Sequence, residues 1–190
     1  MEILKEKIAI DGEIIMPNIL KVDGFLNHQI DSKLFKEIGK TFKERFKDKK
    51  VTKVLTIEAS GIALALAVAY EFDCVPVVFA KKGSSKTINN DVYTSKIHSF
   101  TKNLTYDAII KKEYLTSDDH VLVIDDFLAN GQAMLGLLDM CEQAQAQVSG
   151  IGIVIEKGFQ DGRQLIEEKG YQVESLAIIK EFKDGRIIFK

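Results

Sequence analysis

Two adjacent carboxylates, Asp125 and Asp126, stand directly behind the apolar run Val121-Leu-Val-Ile124, and the small-residue loop Ala129-Asn-Gly-Gln-Ala133 follows a few positions later. Carboxylates only accept hydrogen bonds, so a neighbouring pair suits adjacent hydroxyls of a sugar ring. Small residues such as Ala129, Gly131 and Ala133 let successive backbone N–H groups close on a phosphate, and a helix starting near Gln132 adds the positive end of its dipole. Hydroxyl acceptors beside a phosphate cradle describe a site for a phosphorylated sugar. A Walker-type nucleotide loop would need Gly-Lys-Ser/Thr, whereas Gly131 is followed by Gln132 and Ala133. The dinucleotide fingerprint would need three spaced glycines right behind the strand, and here one glycine stands behind two acids. A buried strand ending in an acidic surface turn is the ordinary alternative, and the glycine-centred loop behind the acids argues against it.

The elements around this segment must bring other groups to the same edge. An apolar, β-branched run suits a strand covered on both faces, as in a parallel α/β sheet, where ligands bind at the carboxyl ends of strands. A helix is expected from about Ile3 to Ile10, and another behind Asp31 with Leu34, Phe35, Ile38, Phe42 and Phe46 at helical spacing. Val54 to Ile57 reads as a strand, Glu58 to Gly61 as a loop, Ile62 to Tyr70 as a helix and Val75 to Ala80 as the next strand. Lys81 to Asn90 reads as a polar, mobile loop, with alternating segments near Val92 to Thr101 and Thr105 to Lys111 as a two-stranded excursion. The alternation resumes with a helix from about Gly131 to Ala144 and a strand over Gly150 to Ile155. A short helix over Arg163 to Lys169, a strand over Val173 to Lys180 and a turn at Asp184-Gly185 complete it. The fold class is α/β, a doubly wound and mainly parallel sheet flanked by helices, in one domain spanning residues 1–190.

Composition narrows the function classes. The chain has 190 residues, 46% of them hydrophobic, and a net charge of −2, so no global basic field recommends nucleic acid as a partner. The longest apolar run, Ile62 to Tyr70, falls far short of the roughly twenty residues that span a bilayer, and the charged amino terminus lacks a signal-peptide core. Cys74 and Cys141 share no metal-binding or redox spacing and read as buried free thiols in a reducing cytoplasm. His28, His98 and His120 are scattered and predict no structural metal.

The segment Asp125-Asp126-Phe-Leu-Ala-Asn-Gly-Gln-Ala133 resembles the phosphoribosyl pyrophosphate (PRPP) motif of the type I phosphoribosyltransferases. Most of that family carries hydroxyl side chains in the loop, whereas Asn130, Gln132 and Ala133 stand here, a variant similar to the xanthine branch. The 5′-phosphate would then be held by backbone N–H groups, with the Asn130 amide as an extra donor. The resemblance makes Glu58-Ala-Ser-Gly61 the pyrophosphate loop, with Ser60 and Gly61 as contacts. Read alone, it is a strand-to-helix turn capped by Ser60. Lys81 and Lys82 could neutralise a leaving pyrophosphate. The resemblance adds that a cation here often reaches the partner subunit's site, which implies a homodimer with Lys81 among its catalytic residues. Lys86 to Lys102 matches the flexible catalytic hood, with Lys96, Ser99 and Lys102 as candidate phosphate contacts.

Two further segments resemble the xanthine branch and imply the base pocket: Leu20 to Ile30, supplying Leu20 and Asn27, and Glu156-Lys157-Gly-Phe-Gln160, supplying Lys157 and Phe159. Lys157 has donors and no acceptor, which suits a 6-oxo group and not the 6-amino group of adenine. Phe159 could stack on a purine. Read alone, these four are a solvated lysine, a turn asparagine and two core residues. The resemblance implies transfer of phosphoribosyl from PRPP to N9 of xanthine, releasing pyrophosphate, with Mg2+ carried by PRPP. Asp125 and Asp126 would orient the ribose. Guanine, hypoxanthine or adenine as the base is the alternative within the fold. A PRPP-sensing regulator that binds nucleic acid is the alternative outside it, disfavoured because such purine repressors add an amino-terminal DNA-binding domain, whereas here the core is expected to begin by about residue 32, leaving only the short helix and base-pocket segment ahead of it.

Overall fold

The amphipathic stripe from Leu34 to Phe46 and the branched apolar runs decide the architecture. In the computed structural model, which describes residues 1–15, 17–83, 91–99 and 104–190, the chain runs through α1 (Glu2–Asp11), the short strands β1 (Glu13–Ile15) and β2 (Ile19–Lys21), and a π-helical turn at Asp23–Asn27. It continues with α2 (Ser32–Arg45), β3 (Lys53–Ile57), α3 (Gly61–Glu71), β4 (Val77–Gly83), β5 (Val92–Ser99) and β6 (Leu104–Lys111). It ends with β7 (His120–Leu128), α4 (Gln132–Gln143), β8 (Gln147–Lys157), α5 (Gly162–Glu167), β9 (Val173–Lys183) and β10 (Arg186–Phe189).

An eight-stranded sheet in the order β10-β9-β8-β7-β3-β4-β6-β5 forms the centre. Its inner strands, β9, β8, β7, β3 and β4, are parallel, and β10, β6 and β5 add antiparallel edges. From β3 the chain winds outward to β4, whereas from β7 it winds the other way to β8, so the topology switches between β3 and β7. A crevice opens at such a point, outside the carboxyl ends of the strands. Helices α1, α2 and α3 pack on one face with Leu122, Ile124 and Val154, and α4 packs on the other with Val121, Val123 and Ile153. Alternate residues of β7 thus face opposite cores, which is why its sequence is continuously apolar.

Local chemistry sets the ends of the helices. Asp31 caps α2, its Oδ1 accepting from the N–H groups of Lys33 and Leu34 at 3.1 Å each, an arrangement that contributes about 1 kcal/mol. Inside α2, Leu34, Phe35, Ile38 and Phe42 are buried, and Phe42 stacks on Phe46 with ring centroids 6.3 Å apart.

Several boundaries differ from the sequence expectation. Strand β7 continues past Ile124 to Leu128 because β8 keeps pairing with it, Phe127 with Ile155 and Leu128 with Glu156, so both aspartates lie inside the strand. Strand β4 runs to Gly83, and Lys81 and Lys82 pair with Ile109 and Ala108 of β6 instead of opening a loop. The β5–β6 hairpin is joined through β6 to the sheet edge, so the excursion is part of the main sheet. Residues 84–90 and 100–103, with Lys86 and Lys102 of the expected hood, lie outside the described residues.

The core reaches ahead of residue 32 to the amino-terminal helix. Leu4 and Ile8 of α1 are fully buried and join Leu20, Val22, Phe25 and Leu26 in one apolar cluster, each fully buried side chain contributing roughly 1.5–3 kcal/mol. Cys141 is buried as expected, its thiol pushed up to about 12 chiefly by burial. Cys74 is exposed instead, because Asp73 and Cys74 form a left-handed turn with φ of 59° and 57°. Among the described residues, no helix is long and apolar enough to cross a membrane.

Candidate active site

The switch between β3 and β7 places two loops side by side at the carboxyl edge. Asp125 closes the continuous buried run of β7 that starts at Val121, and its Oδ1 accepts from the Asp126 N–H at 3.0 Å. Asp126 is less buried and its Oδ1 accepts from the Phe127 N–H at 2.9 Å. Burial first, and the neighbouring charge of Asp126 second, hold the Asp125 carboxyl well above the usual carboxylate range. Burial and the charge of Asp125 likewise raise the Tyr106 phenol.

Behind the acids, Gly131 adopts φ +79° and ψ 0°, a left-handed conformation that glycine takes without steric cost, and α4 starts at the next residue. The chain thereby reverses from strand to helix with the N–H groups of its first turn unpaired along the helix axis, the arrangement that binds a phosphate. Ala129, Asn130, Gly131, Gln132 and Ala133 all line one cleft of about 450 Å³.

The loop after β3 closes the neighbouring side. The Glu58–Ala59 peptide is cis, and the Glu58 carboxylate accepts from the Lys82 N–H at 2.6 Å, tying this loop to β4. Gly61 opens α3 directly over the buried Thr56, whose Oγ1 occupies the space a Cβ would need, and the same Cβ position lies 3.5 Å from Asp125 Oδ1. Ser60 precedes the helix with φ −62° and makes no capping bond, so the capping alternative is not realised. Ser60 and Gly61 therefore stand beside the diacid. Among the described residues, Thr56 Oγ1 is buried without a hydrogen-bond partner.

On the far side of the cleft lies Lys157, the last residue of β8. Its Nζ donates to the Asn18 carbonyl oxygen at 3.0 Å and stands 5.9 Å from the Phe127 ring centroid, and burial lowers its pKa. An ammonium has three donors, so two remain for other partners. Asn18 and Ile19, from the β1–β2 hairpin, form the adjoining wall.

Of the residues picked from sequence, Ala129 to Ala133 and Lys157 line this cleft; Asp125, Asp126, Ser60 and Gly61 do not, although Asp126 directly precedes the lining Phe127, and four others lie elsewhere. Leu20 is buried beneath it in the core, one position from the lining Ile19. Asn27 closes the π-helical turn and is exposed. Phe159 is 40% exposed and packs edge-on against Phe182 at 5.7 Å between centroids. Lys81 lines a separate surface groove with Lys53, Pro76 and Tyr114. Lys82 and Lys96 instead border a depression with Tyr106 and Asp107.

Sequence reasoning missed Asn18, Ile97, Tyr106 and Gln160 as lining residues. It also set aside His98, which lines the cleft and shares a hydrogen bond with the Thr105 hydroxyl at 3.1 Å. Gln160 carries the one usable local signal, three positions behind Lys157 on the same loop. Its Oε1 is buried without a hydrogen-bond partner among the described residues.

Comparison with known proteins agrees with this geometry. Residues 27–184 match the family model described as phosphoribosyl transferase domain. The chain is 55% identical over 190 residues, 100% of both chains, to a xanthine phosphoribosyltransferase of Clostridium novyi (strain NT). It is 54% identical over the same 190 residues, again 100% of both, to one of Clostridium tetani. Its fold is similar to the crystal structure of an adenine phosphoribosyltransferase from Thermoanaerobacter pseudethanolicus, with TM-score 0.73 and 22% identity over 92% of this chain and 98% of that one.

Proposed function

Because the chain belongs to the phosphoribosyltransferase family and has its type I fold, we propose that it transfers the phosphoribosyl group of PRPP to N9 of xanthine, giving xanthosine 5′-monophosphate and pyrophosphate. The observation that carries this reading is one cleft lined by the loop Ala129–Ala133 and by the Lys157 ammonium, with the diacid of β7 directly before the lining residue Phe127. The distances and the full-length identity to the clostridial xanthine enzymes support it together.

In the reaction the bond from C1 of the ribose to the diphosphate oxygen breaks and its electron pair leaves with pyrophosphate. N9 of the base forms the new bond to C1 and loses its proton. The sugar passes through a state with cationic character at C1, so the protein's task is to position two substrates and stabilise charge. The first turn of α4 holds the 5′-phosphate on backbone N–H groups, with the Asn130 amide beside it. Asp126, partly buried and next in chain to the lining Phe127, accepts from the ribose hydroxyls. Asp125 sits where a second negative charge is unfavourable, so a cationic sugar nearby stabilises its ionised form. Ser60 and Gly61 present the loop after β3 to the leaving pyrophosphate. Magnesium arrives on the oxygens of PRPP as part of that substrate.

For the base, Lys157 keeps one N–H on Asn18 and gives another to the 6-oxo group. The buried Gln160 Oε1 accepts from a ring N–H, which oxopurines possess and which satisfies an otherwise orphaned acceptor. Leu20 supports Ile19 from beneath. Asn27 and Phe159 are exposed outside the lining of the cleft, so the base contacts in this reading fall to Lys157 and Gln160. We further propose a homodimer, in which Lys81, outside its own cleft, serves the neighbouring subunit. The reaction is assigned to the cytoplasm. Light scattering that finds a fully active monomer would contradict the trans role of Lys81. The ribose-orienting role of the diacid, and with it the transferase reading, is tested by replacing Asp125 and Asp126 together with asparagine, which should abolish pyrophosphate release with xanthine while the fold is retained. Undiminished turnover would contradict it.

A further inference from the structure

The segment that carries Lys157 and the loop that cradles phosphate are far apart in function, yet they touch through backbone. The Gly162 N–H donates to the Ala129 carbonyl oxygen at 3.1 Å. A Cβ on Gly162 would collide with that same oxygen and would lie 2.8 Å from the Gly131 nitrogen and 3.0 Å from Leu128 Cδ1. The approach is mutual, since a Cβ on Gly131 would lie 3.1 Å from Gly162 Cα. No side chain fits between the two loops.

A buried charge cluster fixes Gly162 from the other side. Arg163 makes a bidentate pair with Glu156, Nε to Oε1 at 2.9 Å and Nη2 to Oε2 at 2.6 Å. Its Nη1 donates to the Val173 carbonyl at 3.0 Å, and the Ser175 hydroxyl donates to Glu156 while accepting from Arg163 Nη2 at 3.2 Å. Glu156 is only 2% exposed while Arg163 remains partly exposed, so a buried acid is paired and hydrogen-bonded to a half-buried guanidinium. Glu156 precedes Lys157, and Arg163 follows Gly162, so the cluster clamps both ends of the segment 157–162 onto β9. Neither a catalytic role nor simple surface solvation requires an acid buried at this position.

We propose that Gly162, tied down by Glu156, Arg163 and Ser175, is a positioning residue that makes the base segment and the phosphate loop one rigid unit, so that disturbing the base segment weakens binding of PRPP. The inference rests on the reading of the cleft as a joint base and phosphoribosyl site. It assigns to Gly162 and Arg163, which need touch no substrate, a part in setting affinity for the substrate on the far side of the cleft.

The test is calorimetric titration of PRPP with Mg2+, in the absence of any base, into the full-length protein and three variants whose melting is recorded alongside. Gly162→Ala should raise Kd for PRPP tenfold or more, and Arg163→Lys, which keeps the charge and loses the fork, about threefold. Gln164→Ala, on the exposed face of α5, should leave Kd unchanged. In turnover assays the Gly162→Ala loss should fall on KM for PRPP. An unchanged Kd in folded Gly162→Ala, or a loss confined to KM for the base, overturns the proposal. Should Gly162→Ala fail to fold, an unchanged Kd in Arg163→Lys overturns it. A wild-type protein that binds PRPP but converts no base overturns the functional reading alone, since the titrations still measure the coupling. One that does not bind PRPP overturns both.

Discussion

Lys157 Nζ donates to the backbone carbonyl oxygen of Asn18 at 3.0 Å, joining the end of β8 to the β1–β2 hairpin across 139 positions of chain. The contact fixes the ammonium over the cleft and holds the hairpin as its wall. A group with this double duty should show its loss on one substrate only. Lys157→Met is expected to lower kcat/KM for xanthine about 100-fold, the scale of a lost hydrogen bond to a charged donor. KM for PRPP should stay within about twofold, because the side-chain change leaves the backbone contact between Gly162 and Ala129 in place. Burial lowers the Lys157 pKa, so the wild-type kcat/KM for the base should fall on the alkaline side at a pH below the ordinary lysine value. Steady-state kinetics over pH checks both, and an alkaline limb unchanged in Lys157→Met would count against the assignment.

Gln160 gives a second prediction. An acceptor left without a partner costs free energy that a bound N–H recovers. Gln160→Leu is expected to weaken xanthine binding about tenfold while leaving thermal stability equal or higher. Unaltered affinity would remove Gln160 from the pocket.

Asp125 is held protonated to higher pH in the folded protein than in the unfolded chain, where aspartate ionises near pH 4. Between those two values the native state binds more protons than the unfolded one. Its contribution to stability is therefore fully present below the unfolded value and is lost as pH rises through the folded one. Asp125→Asn, whose Oδ1 can still accept from the Asp126 N–H, removes this loss. At pH 8 it should melt higher by about 2–4 °C for each kcal/mol recovered, with kcat down at least about 100-fold. Calorimetry at several pH values reads the first and turnover the second. A lower melting temperature at pH 8 would contradict the burial argument.

The strand with its diacid, the glycine-centred loop and the lysine after β8 were legible because each is a local pattern: a branched apolar run, small residues at an anion-binding turn, a charge behind a strand. The α2 stripe was legible for the same reason, its period being written in five apolar residues. What the sequence left dark depends on contacts between distant segments. Asn18 reaches Lys157 only after β1 and β2 have paired, and Tyr106 reaches Asp125 only because β6 adds to β4. Leu20 was placed one residue from the true lining position, since in a three-residue strand the choice of face turns on a single step of register. The Glu156, Arg163 and Ser175 cluster has the composition of ordinary surface residues and is marked only by its burial.

Asp119 offers a control at the other end of β7. Its Oδ2 accepts from Lys53 Nζ at 2.7 Å, the Thr116 N–H at 2.8 Å and the Thr116 hydroxyl at 3.2 Å. Burial alone would raise its pKa, but these donors outweigh burial and bring it below the usual value. The stabilisation is therefore present above the unfolded pKa and lost as pH falls through the folded one. Asp119→Ala should cost about 1–3 kcal/mol in denaturant titrations at pH 7 and leave both KM values unchanged. A selective change in KM would show that the two ends of β7 are coupled.

The most direct measurement is pyrophosphate release by the purified protein with PRPP and Mg2+, offering xanthine, guanine, hypoxanthine and adenine in separate reactions. Xanthine is expected to be converted with the highest kcat/KM and adenine not at all. Preference for adenine would contradict the pocket built on Lys157 and Gln160, and absence of release with every base would contradict the transferase assignment itself.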